Sequence, residues 1–297
     1  MIFGRSKLSL RQSTTITVDK MVELQNCKRH HTNCQLTLTC SAAKIGLMVD
    51  RPKKPVSADV FGQEPGKGNP DELVLSRRQV RDCDRVAIER FEINGLVLME
   101  NAGRGAAEVI VSLLKGAGQS RVCIVAGTGN NAGDGFVVAR HLTNVGVDVD
   151  VVICGLRDKI KGDALANLVI IEQMAVAIAY IEQQRPNEII QSIKAHLEGR
   201  GVIVDAMLGT GVSGAPREPI RSAIQAILDN RSGKIVVALD IPSGLDCDTG
   251  EPMGPTIRAD HTVTFAAMKK GFRSLSAAQY TGTVTVASIG INTSLLL

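Results

Sequence analysis

Residues 73–297 predict a three-layer α/β/α fold with a mostly parallel central sheet, on three observations. Near-continuous apolar runs at 122–126, 147–154, 175–181, 201–208 and 234–241 read as strands. Segments of helical period at 134–144, 163–174, 187–197 and 218–229 fall between them. Strands that are apolar along their whole length are buried on both faces, and the intervening helices supply the cover. Stretches rich in glycine and side-chain oxygen follow the first, fourth and fifth runs, at the strand ends where such sheets bind ligands.

Residues 1–72 carry no sustained periodicity and read as a basic N-terminal extension. Ten Lys and Arg face three Asp and Glu in 1–56, so a chain of net +4 leaves a net of about three negative charges for the rest. The basic character therefore belongs to the extension, and a nucleic-acid face is not expected on the domain. With aromatics at 3% and no Trp, platforms for stacking single-stranded bases are excluded as well. The expectation for 1–72 is a disordered tail, with a coding start at Met21 or Met48 or a transit peptide as alternatives. Cys27, His30, His31, Cys34 and Cys40 form a zinc candidate whose spacing matches no paired-ligand pattern. The seven cysteines lack a disulfide framework, which points to a reducing, cytoplasmic compartment, or an organelle if the extension is a transit peptide. No apolar stretch approaches the roughly 20 residues that span a bilayer, so no membrane partner is expected.

Order is predicted to begin at Ser76 and Gln79, a capping box that opens a helix to about Arg90, with Gly95 as its terminator. A second helix, 96–114, aligns Met99, Ala102, Gly103, Ala106, Ile110 and Leu113 on one side. After the first strand, glycines at Gly127, Gly129, Gly133 and Gly135 surround Asn130, Asn131, Ala132 and Asp134. Glycine lets backbone approach a phosphate, and a following helix offers free N–H groups. The spacing is not the dinucleotide fingerprint, because the third glycine falls one residue late and Asp148 and Asp150 start the next strand rather than end it. No Lys–Ser/Thr pair makes it a P-loop. A second glycine-rich loop, Gly209 to Ala215, follows a strand containing Asp205, and Pro219 suits the first turn of the next helix. Asp240, Pro242, Ser243 and Gly244 open a third loop. Runs at 262–265 and 283–289 lack an intervening helix and suggest an antiparallel edge.

Three segments occur in order: Asn130 to Gly135, Val204 to Gly211, and Asp240 to Leu245. With Leu98 to Gly103 and Lys269 before Gly271, they resemble the NAD(P)H-hydrate epimerase family over about 73–291. The resemblance implies a Rossmann-like domain that interconverts the R and S forms of hydrated NADH and NADPH. It implies that Asn130, Asn131, Ala132, Gly133 and Asp134 hold the substrate. Gly209, Thr210, Gly211, Val212, Ser213, Gly214, Ala215 and Asp240 would join them. One potassium ion per subunit would take Asn131, Asp205 and Ser243 as ligands. A separate S-specific dehydratase would act downstream, and a homodimer fits the family. Ala132 departs from the pattern, which has Gly there.

Epimerising C6 of the hydrated ring requires water loss and return, or ring opening and closure; either route needs a group that gives and takes a proton, and Asp240 is the candidate, with Asp134 open as an alternative. Hard oxygen donors suit potassium better than a soft metal. Lys269 is a candidate phosphate or loop contact, and Cys247 a bystander. The rival functions are a non-catalytic nucleotide-sensing or scaffold module and an NAD-dependent dehydrogenase. The second is weakened by the glycine spacing.

Overall fold

The structure, a computed structural model, describes residues 73–182 and 185–296. The extension 1–72 and its Cys/His cluster lie outside the described residues. In chain order the elements are β1 (Val74–Leu75), α1 (Arg77–Glu89), α2 (Gly95–Ala117), β2 (Arg121–Ala126), α3 (Asn130–Asn144), β3 (Asp148–Cys154), α4 (Gly162–Gln173) and β4 (Ala177–Ile181). There follow α5 (Pro186–Leu197), β5 (Val202–Ala206), α6 (Ile220–Asn230), β6 (Ile235–Leu239), β7 (His261–Phe265), β8 (Met268–Lys269), α7 (Ala278–Thr281) and β9 (Thr283–Ala287).

Seven strands form one sheet in the order β4-β3-β2-β5-β6-β7-β9, and every neighbouring pair is parallel. The expected antiparallel edge is wrong: β7 and β9 pair parallel, His261 opposite Thr283 through Phe265 opposite Ala287. A parallel return needs a crossover. Residues 266–282 supply it through β8, a 3-10 turn at Lys270–Arg273 and the short helix α7.

Alternate residues of each strand feed two cores. Val122, Ile124 and Ala126 pack with α2, α3 and α4, while Cys123 and Val125 pack with α5 and α6. Each fully buried Val, Leu or Ile contributes roughly 1.5–3 kcal/mol. Among the described residues no helix is long and apolar enough to cross a membrane.

The capping box at Ser76 forms: the Ser76 N–H donates to Gln79 Oε1 at 3.0 Å, and the Gln79 N–H to Ser76 Oγ at 3.4 Å. Gly95 does not end α1, whose cap is Arg90. It is the first residue of α2, where the side chain of Asn94 takes the Leu96 N–H. Pro219 stands just before α6 rather than inside its first turn. The Asn130–Gly135 stretch is not a loop but the opening of α3, directly after the extended residue Gly129. A Cβ on Gly133 would meet Met99 Sδ at 2.6 Å and Ala164 Cα at 2.9 Å, and one on Gly135 would meet Ala206 Cβ at 2.7 Å. Those two glycines therefore serve close packing of α3 against α2, α4 and β5, not approach to a phosphate. Ala132, where the pattern has Gly, is wholly buried in the core.

Candidate active site

The strand order reverses between β2 and β5, because β3 and β4 extend the sheet one way and β5 to β9 the other. A cleft of about 600 Å³ opens at the carboxyl ends of the strands there. Such a switch point parts the loops on either side and leaves a ligand crevice. One wall is a stripe of α1, Val80, Asp84 and Ile88. The sheet end supplies another part of the lining, with Asn131, Asp134, Gly209, Asp240 and Lys269 among its residues. Helix α1 is held in place by its own charges. Arg77 pairs with Asp246 at 2.6 Å, its N–H donates to Asp248 at 2.8 Å, and Arg81 donates to the Gly211 carbonyl at 2.7 Å.

Asp240 follows β6 with φ of 62°, the left-handed region that costs a side-chain-bearing residue roughly 1–2 kcal/mol. Ala266, at the matching end of β7 and also on the cleft wall, has φ of 65°. Strain of this kind persists where surrounding contacts dictate it. Asp240 Oδ2 accepts the Thr210 N–H at 2.7 Å, and Oδ1 lies 3.0 Å from Lys269 Nζ. Lys269 is fully buried and also donates to the carbonyls of Phe265 at 2.9 Å and Ala267 at 3.4 Å. Its donors are occupied, so it ties loops together and orients Asp240 instead of meeting a phosphate.

Two further carboxyls share this field. Burial pushes Asp134 well above the ordinary carboxylate range, with Asp240 and Asp84 adding to the rise and Lys269 opposing it. Asp84 is pushed up to about 6 by loss of hydration in the concave wall and by the charge of Asp240, again opposed by Lys269. The residue as a whole is exposed nonetheless, and it lines the cleft. The sequence reading missed Asp84, although an acid flanked at helical spacing by Val80 and Ile88 is a visible signal.

Asp205, Ser243 and Asn131 stand at the same end of the sheet. Asp205 is fully buried, and all its hydrogen-bond partners are neutral: Ser243 Oγ at 2.6 Å, the Ser243 N–H at 2.8 Å and the Met207 N–H at 3.2 Å. Ser243 Oγ also accepts the Leu208 N–H at 2.9 Å, which joins the second and third loops. Asn131 is 7% exposed, yet neither Oδ1 nor Nδ2 has a hydrogen-bond partner. A buried amide left unpaired costs about 1–3 kcal/mol and calls for a ligand. An orphaned amide oxygen and a buried carboxylate bonded only to neutral groups are a donor set that fits a monovalent hard cation.

Of the residues expected to hold substrate, Asn130, Asn131, Asp134, Gly209, Thr210, Gly211, Val212 and Asp240 line the cleft. Ala132 and Gly133 face the helix packing instead. Ser213, Gly214 and Ala215 are exposed beyond the cleft lining. Thr128 and Gly129, before the start of α3, do line it, and a Cβ on Gly129 would meet nothing within 4 Å. That leaves room for an anion at the free N–H groups of a 15-residue helix. Cys247 is buried, and its thiol is pushed up to about 12 by burial, which leaves it an inert bystander.

Residues 95–271 match the family described as YjeF-related protein N-terminus. An NAD(P)H-hydrate epimerase of Rhodopirellula baltica is 41% identical over 224 residues, which cover 75% of this chain and 86% of the relative. One of Pirellula staleyi is 40% identical over 223 residues, covering 75% and 95%. A bifunctional NAD(P)H-hydrate repair enzyme of Salinibacter ruber is 39% identical over 223 residues, 73% of this chain and 41% of that longer protein. Among solved structures, yeast ynu0 superposes with a TM-score of 0.61 at 23% identity, over 73% of this chain and 88% of the other, which shows the same fold.

Proposed function

The chain belongs to the family of YjeF-related protein N-termini, and from that premise we propose how its cleft works. The protein is an NAD(P)H-hydrate epimerase, an isomerase that interconverts the R and S forms of hydrated NADH and NADPH. The observation that supports a catalytic rather than a sensing role is the Asp240–Lys269 pair, a carboxylate held in left-handed backbone and aimed into the cleft.

The substrate's phosphates sit at the N-terminus of α3, over Gly129 and Asn130, and the reacting ring lies between α1 and the sheet end. Asp240 exchanges the proton on the sheet side, with Lys269 and the Thr210 N–H fixing its two oxygens. Asp134, whose proton is held more tightly through burial, completes an acid and base pair with Asp240. Asn131, Asp205 and Ser243 hold one potassium ion, which, when bound, supplies positive charge beside the substrate's phosphates. A separate dehydratase specific for the S form consumes the product.

The purified protein is incubated with mixed R and S hydrates and an S-specific dehydratase. The R form is expected to be drained through the S form at an enzyme-dependent rate. Persistence of R at its spontaneous rate would sink the assignment.

A further inference from the structure

Epimerisation by loss and return of water is a two-faced reaction. The C6–O bond breaks with its electrons on oxygen, the ring nitrogen's lone pair closes a C6–N double bond, and a carboxyl proton completes the departing water. Water then attacks C6 from the other face, the double-bond electrons return to nitrogen, and a carboxylate accepts the proton. One water leaves, one enters, and no redox change occurs. Each ring face therefore needs its own proton-exchanging group.

The cleft is lined by carboxyls from two parts of the fold, Asp84 on α1 and Asp134 and Asp240 at the carboxyl ends of the strands. Its charged lining residues are Arg81, Asp84, Asp134, Asp163, Asp240 and Lys269. Arg81 donates to the Gly211 carbonyl and Lys269 to Asp240, so neither neutralises Asp84. Asp84 has no hydrogen-bond or ion-pair partner among the described residues, whereas Asp82, one turn-face away, pairs with Arg85 at 3.3 Å. The partnerless amide of Asn131 lines the same cleft and marks it independently as a ligand seat.

We propose that Asp84 is a further catalytic residue, exchanging the proton on the ring face turned toward α1, while the pair of Asp134 as acid and Asp240 as base serves the face turned toward the sheet. This rests on the epimerase reading above. At neutral pH Asp84 is ionised and accepts the proton of the incoming water. As pH falls through about 6 it becomes protonated and the rate of that step declines.

The test follows R-to-S conversion of NADH hydrate directly, by chromatographic separation of the two forms, with the full chain. Conversion by the wild type is the control: without it the epimerase reading fails and Asp84 is not at issue. With an active wild type, Asp84→Asn is expected to lower kcat about 10²–10⁴-fold, to leave KM little changed and to abolish the decline below pH about 6. Asp84→Glu is expected to restore part of kcat together with that decline, and Asp82→Asn to behave as wild type. If Asp84→Asn does not fold, Asp84→Glu carries the test, with kcat more than roughly tenfold below wild type expected for a displaced base. Wild-type kcat and pH profile in Asp84→Asn, or in Asp84→Glu where it stands alone, overturns the proposal. So does conversion in ¹⁸O-water without ¹⁸O entering the hydrate, although that result leaves the epimerase intact.

Discussion

Lys269 is sealed from water and its charge is balanced by one carboxylate, Asp240 Oδ1 at 3.0 Å. Breaking such a buried pair from either side leaves an uncompensated charge and costs about 3–5 kcal/mol. Asp240→Ala and Lys269→Ala are therefore each expected to lower the unfolding free energy by about that much in urea titrations, and to abolish turnover. The double variant Asp240→Asn with Lys269→Met should recover most of the stability and none of the activity. Recovery of activity in it would remove Asp240 from the mechanism. Asn131 tests the potassium proposal without catalysis. An ion at a hundredfold excess over its Kd adds about 2.7 kcal/mol to stability. The thermal midpoint of wild type should rise in potassium chloride but not in choline chloride, and Asn131→Ala should lose that difference. Equal midpoints in the two salts for wild type would refute the site.

At the scale of elements, α3 does two jobs with one run of glycines. Gly133→Ala forces a Cβ within 2.6 Å of Met99 Sδ, and Gly103→Ala one within 2.5 Å of Val137 Cβ, so each is expected to cost about 1–3 kcal/mol of stability. Gly129 is extended, with φ of −98°, and has open space around it. Gly129→Ala should leave the urea midpoint unchanged yet raise KM, because its methyl group would intrude on the phosphate seat proposed at the start of α3. A destabilised Gly129→Ala with normal KM would reverse the assignment. The run of glycines was plain in the sequence, but the division of labour within it was not. Which glycine meets Met99 and which faces the cleft depends on where α2 and α4 cross α3.

For the molecule as a whole, the raised carboxyls set the pH dependence of stability. Asp134 binds its proton more tightly folded than unfolded, so the native state carries more protons above the unfolded value of 3.8. Stability then falls as pH rises, being fully present below 3.8 and lost as the folded group ionises. Asp134→Asn removes that contribution, so the unfolding free energy of wild type minus variant should decline between pH 4 and 7.5 in urea titrations. A difference that grows with pH would contradict the burial argument. The strand β1 pairs Leu75 with Lys269 and so connects the start of α1 to the counter-charge of Asp240.

The amino-acid sequence by itself determined a mostly parallel sheet, its alternating helices and the glycine-rich loops after β5 and β6, because apolar runs and helical period act locally and leave a direct trace in residue order. Through a family resemblance carried by its motifs it also pointed to Asn131, Asp205, Asp240 and Ser243, which stand together at one end of the sheet. Only the tertiary structure decided the parallel pairing of β9, the role of Lys269 as a buried counter-charge and the meeting of Asp84 and Asp240 in one cleft. Those depend on the crossover through residues 266–282 and on α1 lying across the sheet end, and the energies that fix them arise between segments far apart in the chain. Burial and Coulomb interaction depend on distance in space, which local sequence pattern does not encode.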